Sequence, residues 1–131
     1  MSYLTHAINQ SPTIYGEANA ALTAPAMKAV AFNSSGKVIL PAASGDFAIG
    51  IVLADADNIA AGGRVNIQIK DICLAIAGET IKRGDLLMAH TDGTVKVATA
   101  GKQTIGVALG GASSGKPVEM MIMHTLIVPA S

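Results

Sequence analysis

A glycine-rich loop near the C-terminus has the pattern in this chain that most suggests ligand chemistry. Residues 110–116 read GGASSGK, which fits the first seven positions of a phosphate-binding P-loop, whose backbone N–H groups and lysine hold phosphate oxygens. Pro117 stands where that motif needs a Ser or Thr to bind Mg²⁺. From Val118 onward the residues alternate as in a strand, so the sequence predicts no helix N-terminus to hold an anion. We interpret the segment as a loop between strands.

One lysine lies in a sequence similar to the biotinylation site of carrier domains. Residues 26–28 read AMK, three of the four residues of the Ala-Met-Lys-Met turn that such domains use. Ala29 replaces the second methionine, Pro25 precedes the motif, and Lys28 opens an apolar strand, which favours a surface lysine on a strand. A small β-barrel carrier or ligand-binding module that uses Lys28 or the 110–116 loop is the alternative. Expression with biotin ligase and a nucleotide titration would test it.

The other polar residues do not converge in the sequence. Asp55, Asp57 and Asn58 offer the oxygen ligands that Ca²⁺ prefers, but Ile59 breaks the spacing of an EF-hand loop. The three histidines are scattered, with no Cys, Asp or Glu at ligand spacing: His6, His90 and His124. No carboxylate pair is placed by the pattern. We therefore predict no catalytic residues, no metal site and no cofactor, and a protein that is not an enzyme.

Composition narrows the classes of function and partner. The chain is 50% hydrophobic but only 14% charged, so we expect part of its apolar surface to be buried against another subunit. Nine basic residues balance nine acidic ones, so no electrostatic field would attract nucleic acid. The N-terminal residues lack the charged and apolar regions of a signal peptide. No apolar run approaches the roughly 18 residues of a membrane span. Neither nucleic acid nor a membrane is expected as a partner.

The single cysteine, Cys73, lies in a strand-like run between Ile72 and Leu74. One cysteine excludes an internal disulfide and indicates a reducing compartment. We expect a buried, inert thiol.

Short strands and turns account for most of the chain. In the second half, residues 86–89 and 95–98 are predicted to pair as a hairpin across the turn 91–94, with Gly93 where a positive φ is needed. Residues 104–109 and 118–123 are predicted to form two further strands, and Leu126-Ile127-Val128 a short closing strand. No helix is predicted between these strands.

The same pattern occurs earlier in the chain, which indicates an internal duplication. Residues 28–32, 33–36 and 37–40 match the hairpin, and Gly93 lies 57 positions after Gly36. Residues 48–53 match 104–109, and 65–69 match 118–122, with length changes confined to loops. A half of this size could hardly bury its own apolar faces, so we expect the copies to share one core.

These patterns predict an all-β fold, a small β-sandwich or barrel-like domain built from two related units. The single domain spans 26–131, with copies at about 26–70 and 83–123. Ile67 has one parity and Ile72, Leu74 and Ile76 the other, so the buried face is predicted to switch at a bend near Asp71.

Residues 1–25 differ from the rest and are predicted to form an extended N-terminal arm. They carry little charge, contain Pro12 and Pro25, and hold both tyrosines of the chain. Such a segment is either a frayed terminus or an arm that becomes ordered on a partner, where tyrosines supply contact area at small entropic cost. The candidate partner-binding residues are its apolar anchors: Tyr3, Leu4, Ile8, Ile14 and Tyr15.

Four segments of the second copy carry a family resemblance. They are 84–87 (GDLL), 91–98 (TDGTVKVA), 105–109 (IGVAL) and 115–120 (GKPVEM). Together with the first copy they resemble the small capsid cement or head-decoration proteins of tailed bacteriophages. The resemblance covers roughly residues 26–123 and rests on turn-and-strand patterns.

The resemblance implies a structural function. Proteins of this kind are β-rich, usually trimeric, and bind the outside of an expanded icosahedral shell, which they reinforce against internal DNA pressure. It implies two partners, the major capsid protein and other copies of the chain in a homotrimer. It also implies a location on the capsid exterior of the virion after synthesis in the host cytoplasm. Family members often engage the capsid through a flexible N-terminal segment, which would suit residues 1–25. A fibre or tail component of the virion is an alternative.

Overall fold

The computed structural model describes residues 13–124 and 128, and these residues form ten β-strands with no helix among them. The strands are β1 (Thr13–Glu17), β2 (Ala29–Phe32), β3 (Val38–Ile39), β4 (Gly50–Val52), β5 (Arg64–Gln68), β6 (Ile72–Ile76), β7 (Leu86–Ala89), β8 (Val95–Val97), β9 (Gly106–Ala108) and β10 (Pro117–Ile122). The predicted all-β class is confirmed. The part of the chain that is described holds no helix able to cross a membrane.

The strands form two five-stranded antiparallel sheets with the same topology. Sheet one has the order β1-β5-β4-β2-β3, and sheet two has the order β6-β10-β9-β7-β8. Adding five to each strand number of sheet one gives sheet two. We call β1–β5 unit one and β6–β10 unit two; the fold is a small sandwich of these two similar units.

The duplication extends to the turns and single bridges. Gly36 and Gly93 close the equivalent β2–β3 and β7–β8 hairpins with φ of 78° and 85°, values that suit glycine because it has no Cβ. The isolated parallel bridge Ala18↔Val38 in unit one recurs as Ala77↔Val95 in unit two. Two copies of one chain pattern therefore fold in the same way down to individual hydrogen-bonded pairs.

Unit one begins earlier than the sequence pattern indicated. Thr13–Glu17, assigned above to the N-terminal arm, form β1 and pair with β5 along its whole length. Ala18 and Leu22 follow as buried residues of the unit-one core. β6 is the equivalent of β1, so unit two likewise begins before residue 83. Residues 1–12 of the predicted arm lie outside the described residues.

Buried apolar residues form two clusters. The unit-one cluster contains Ala18, Leu22, Val30, Val38, Val52, Val65 and Ile67. The larger cluster is built from unit two, with Leu87, Ile105 and Met120 among its members, and takes in three residues of unit one: Ala29, Ala48 and Ile51. One cluster thus belongs to unit one alone, whereas the larger one is shared by both units, so the expected single shared core is present only in part.

Backbone hydrogen bonds join the units where these cores meet. The Ala29 N–H donates to the Gly93 carbonyl at 2.7 Å, and the Ile76 N–H donates to the Met27 carbonyl at 2.9 Å. The Gly45 N–H, in the loop before β4, donates to the Ala89 carbonyl at 2.8 Å. Because these bonds lie beside buried apolar residues, they fix the position of one unit on the other.

The bend between the units is present, but the predicted switch of the buried face is wrong. Asp71, between β5 and β6, has a positive φ of 69°. In β6 the buried residues are Cys73 and Ala75, whereas Ile72 and Leu74 remain 56% and 44% exposed. The small side chains face the core, and the large ones point to solvent. This inversion leaves an apolar face on the surface of sheet two.

The predicted closing strand lies mostly outside the described residues. Of its three residues only Val128 is described, and it exchanges backbone hydrogen bonds with Gly101 and Lys102 at 2.8 and 3.0 Å. Val128 therefore lies beside the loop before β9.

Candidate interaction surface

The glycine-rich loop lacks the surroundings that phosphate binding requires. Residues 113–116 are exposed, and β10 begins at Pro117, so a strand follows the loop as predicted. Residues 111–115 also spell Gly-x-Ser-x-Gly, the pattern of a hydrolase nucleophile elbow. That elbow joins a strand to a helix, whereas this loop joins β9 to β10. Neither motif has its structural context here.

Lys28 is packed at the junction of the units. It lines an open groove of about 690 Å³ together with Ala24, Met27, Asp57 and Asn58. A Cβ added to Gly93 would lie 2.8 Å from the Lys28 Cβ, so the base of the lysine side chain packs against the β7–β8 turn of unit two. A carrier lysine must protrude from a hairpin turn to reach its ligase, and this packing disfavours that function.

The polar groups singled out above do not assemble into a metal site in the described part of the chain, where no group of three His, Cys, Asp or Glu residues could hold a metal ion. Asp55 and Asp57 are exposed in the loop before β5.

Asp92 accepts hydrogen bonds from the Thr94 N–H and hydroxyl at 2.9 and 2.6 Å. Partial desolvation raises the pKa of Asp92, but these bonds and the nearby His90 outweigh it and lower the pKa overall. The carboxylate stabilises its own turn.

Cys73 is buried in β6, and burial raises the pKa of its thiol to about 12. The expected buried thiol is confirmed.

Because the thiolate is the reactive species, the native thiol should react at least 100-fold more slowly with a disulfide reagent at pH 8 than the thiol of the unfolded chain. The sign of the shift also predicts that stability falls as pH rises from 9.0 toward 12, since only the unfolded thiol ionises there. Absorbance of the released thiol measures the first effect, and rapid reaction of one equivalent in the native protein would contradict it.

The described surface of sheet two carries a continuous apolar row. Ile72 pairs with Met121, Met121 with Val107, and Val107 with Leu86, so the row crosses four adjacent strands. At about 4.8 Å per strand the row extends for about 14 Å. Leu74 lies two residues from Ile72 on the same face of the strand. We call Ile72, Leu74, Leu86, Val107 and Met121 the open face of sheet two.

Exposure and charge set the open face apart from an ordinary sheet surface. Ile72, Leu74 and Met121 are 56%, 44% and 38% exposed, and Val107 and Leu86 are half-buried. Glu119, which pairs with Leu74, is the charged residue of β10 on this face. Scattered exposed apolar residues are normal, but neighbouring ones aligned on one face indicate an interaction site.

The equivalent face of sheet one is partly covered. Thr13, Gln68, Ile51 and Ala29 occupy the same cross-strand row in unit one. Thr13 and Gln68 are polar, while Ile51 and Ala29 are buried, at 1% and 0% exposure, beneath unit two. The same position in the fold is therefore closed in unit one and open in unit two.

The candidate arm residues fall into three groups. Tyr3, Leu4 and Ile8 lie outside the described residues. Ile14 packs against the unit-one cluster and so contributes to the fold. Tyr15 is 58% exposed on β1, and the Arg64 guanidinium lies 4.0 Å from its ring centroid, which holds one ring face while leaving the other accessible.

The open face is not evident from the sequence because apolar residues occupy both parities of β6 and β10. β6 reads ICLAI and β10 reads PVEMMI, so period-two alternation does not say which side is the core. One signal was present: the small residues of β6 share one parity, as they do where two layers pack closely. Large aliphatic residues on the other parity then point to a surface contact.

The fold is shared with a solved structure from a bacteriophage. The chain is similar to the crystal structure of the head fiber gp8.5 N base in bacteriophage phi29, with a TM-score of 0.68 and 22% sequence identity. The match covers 87% of this chain and 96% of the other. No protein-family model and no curated protein matches the chain. The similarity shows that the two proteins have the same fold.

Proposed function

We propose that this chain is a structural protein of a bacteriophage virion that binds the outer surface of the capsid as a homotrimer and stabilises the shell. The observation that carries the proposal is the fold likeness to a phage head fibre base over 87% of the chain, at a TM-score of 0.68. The resemblance of residues 26–123 to capsid decoration proteins points independently to the same setting. Its partners would be the major capsid protein and its own copies.

The surface of the described residues suits such a protein. A capsid clamp needs a rigid body and surfaces that become buried on assembly, and the open face of sheet two and Tyr15 both offer apolar area. The described residues bring no cluster of reactive groups together. Many copies on one shell make weak individual contacts effective, because linked subunits bind at high effective concentration.

A specific observation favours a second candidate within the same class. The matching structure is the base of a head fibre, and the match covers 96% of that base. The chain would then be the capsid-attachment part of a projecting fibre instead of a separate decoration protein. Electron microscopy of the particle distinguishes the two, since a fibre base carries density projecting away from the shell.

Capsid attachment is tested by co-sedimentation with purified heads of the parent phage. We expect the chain to sediment with expanded heads and to remain in the supernatant with unexpanded ones. Heads carrying the protein should survive chelation and heating better than bare heads. Light scattering should give three times the 13.2 kDa chain mass. A chain that is monomeric and does not bind either form of head would contradict the proposal.

Tyr15 is the described residue of the candidate arm best placed to contact the capsid. Tyr15→Ala should weaken head binding about tenfold, as truncation of a buried interface tyrosine does. Phe47→Ala is the matched control, because Phe47 is also an exposed aromatic residue of unit one, at 41%. Removal of residues 1–12, which retains β1, should weaken binding further if Tyr3, Leu4 and Ile8 contribute. If the Tyr15→Ala variant and the chain without residues 1–12 bind heads as tightly as the Phe47→Ala control, the N-terminal arm does not contact the capsid.

A further inference from the structure

The N-terminal segment joins the described structure beside one end of the open face. Thr13, the first residue of β1, pairs with Gln68, the last residue of β5. The Gln68 side chain reaches across the bend between the units, and its Nε2 donates to the Ile72 carbonyl at 2.8 Å. Ile72 lies in β6, the edge strand of sheet two, and it begins the apolar row of the open face. The chain therefore enters β1 one glutamine side chain away from that row.

The backbone at this end of β6 faces outward. The Ile122 N–H of β10 donates to the Asp71 carbonyl at 2.9 Å, so Asp71 is paired toward β10. Peptide groups point to alternate sides along an antiparallel strand, and those of Ile72 and Leu74 therefore point away from β10. Gln68 takes up the Ile72 carbonyl, which leaves the Leu74 N–H and carbonyl directed at the outer side of the edge. A segment that passes this edge meets apolar side chains and backbone hydrogen-bonding groups together.

Residues 1–12 are long enough to cross the open face, and they match it in composition. They carry no Asp, Glu, Lys or Arg, and their apolar side chains include Leu4 and Ile8. An extended residue advances about 3.3 Å, so the segment from Thr13 back to Ile8 can span about 16 Å. On an extended segment Leu4 and Ile8 would point to the same side, about 13 Å apart. That separation matches the row of about 14 Å that crosses the strands of the open face.

Two other occupants fit the open face less well. The C-terminal segment also holds apolar residues, Leu126 and Ile127. The next residue, Val128, exchanges backbone hydrogen bonds with Gly101 and Lys102 at 2.8 and 3.0 Å, which place it at the loop before β9. A second copy must bind from dilute solution, whereas a tethered segment has an effective concentration in the millimolar range. The chain's own first residues are therefore the favoured occupant.

We propose that residues 1–12 bind the open face of sheet two of their own chain. Ile8 covers the end of the row at Ile72, and Leu4 covers the end at Leu86. This contact goes beyond the proposed function, because it needs no capsid. It closes in unit two the surface that the packing of the units closes in unit one. Since Leu4 and Ile8 are also candidate capsid contacts, a head must displace the segment from the open face before it can bind these side chains.

Cross-linking between introduced cysteines tests the proposal. The native Cys73 does not compete, because it is buried and the pKa of its thiol is raised to about 12. The test protein carries Ile8→Cys and Leu74→Cys, and a short bismaleimide joins the two thiols when they lie close together. The control carries Ile8→Cys and Asn66→Cys. Asn66 is exposed on β5, two residues before the partner of Thr13, so a segment with no preferred site would react there at least as readily.

The expected result is faster cross-linking within one chain at the open face. At a concentration where the protein is monomeric, the Leu74 pair should cross-link about fivefold faster than the Asn66 pair, because docking raises the local concentration of the segment. Denaturing gels should show a product of the single-chain mass, and mass spectrometry of its peptides identifies the joined cysteines. Adding Ile72→Ser/Met121→Ser to the Leu74 pair should lower its rate to that of the control, since these changes remove the apolar end of the row.

Three results would overturn the inference. Equal rates for the two pairs would show that the segment does not select the open face. A product of twice the chain mass would show that a second copy supplies the segment. A rate that ignores Ile72→Ser/Met121→Ser in a protein with unchanged circular dichroism would show that the apolar row does not hold it; Met121→Ser alone replaces the double variant if that protein unfolds. Head binding plays no part in these measurements, so their outcome is independent of the proposed function.

Discussion

Ile51→Ala is expected to lower the free energy of unfolding by about 2–5 kcal/mol, the range for truncating a buried isoleucine. Ile51 is 1% exposed and lies in β4 of unit one, but its side chain belongs to the unit-two core. The substitution therefore removes methyl groups at the junction of the two units. Both the lost transfer of those groups from water and the remaining cavity weaken the fold.

The measurement is urea denaturation at a concentration where the chain is monomeric, since self-association would add apparent stability. Ile72→Ala is the control, because Ile72 is 56% exposed and should change stability by no more than about 0.5 kcal/mol. In a Tyr3→Phe background, Tyr15 fluorescence reports on unit one, and Cys73 reactivity reports on unit two. The shared cluster predicts that both probes shift together. A shift in one probe alone would show that the units unfold independently.

Gly106→Ala is expected to destabilise the protein by about 2–3 kcal/mol through overpacking, which corresponds to a melting temperature about 10 °C lower. Gly106 lies in β9, where an added Cβ would lie 2.5 Å from the Met121 carbonyl oxygen and against the Met120 Cε. The methionine can move, but the backbone oxygen belongs to the paired strand β10. Relief therefore requires the two strands to separate locally.

Gly110→Ala provides the control, because a Cβ at Gly110 meets no atom within 4 Å. Differential scanning calorimetry of the two variants should give a large decrease for the first and little change for the second. Gly50 is the unit-one equivalent of Gly106, and its added Cβ would strike the Gln68 carbonyl oxygen. Gly50→Ala should therefore resemble Gly106→Ala. Tolerance of alanine at both positions would contradict the destabilisation expected from overpacking.

Local patterns were sufficient to predict the hairpins and the duplication. A turn glycine between two short apolar runs encodes β2–β3 and β7–β8, because both the turn conformation and the register depend on neighbouring residues. The same signals recur 57 positions apart, at Gly36 and Gly93, so the repeat could be found without knowing the sheet order. The sheet order itself depends on pairings between distant strands, which short windows do not encode.

Non-local pairing explains why β1 was assigned to the arm. Thr13–Glu17 reads TIYGE, with two apolar residues and a glycine, and its strand conformation depends on pairing with β5 about fifty residues later. The open face was missed for a related reason. When both faces of a strand are apolar, only the packing of the second layer decides that Cys73 is buried and Ile72 exposed. Tyr15 could be proposed as a binding residue from the sequence alone, whereas the open face is visible only in the tertiary structure.

The joint at Ala29 and Ile51 has a consequence for the nascent chain on the ribosome. Unit one is complete once Gln68 has been made, but Ile51 joins a core whose other members come mainly from unit two, and β10 ends only at Ile122. At 5–20 residues per second, unit one waits roughly 3–10 s with Ile51 uncovered. During that interval its sheet can accept the second half of a neighbouring polypeptide on the same messenger. Slow translation through residues 69–122 should therefore raise the yield of domain-swapped species.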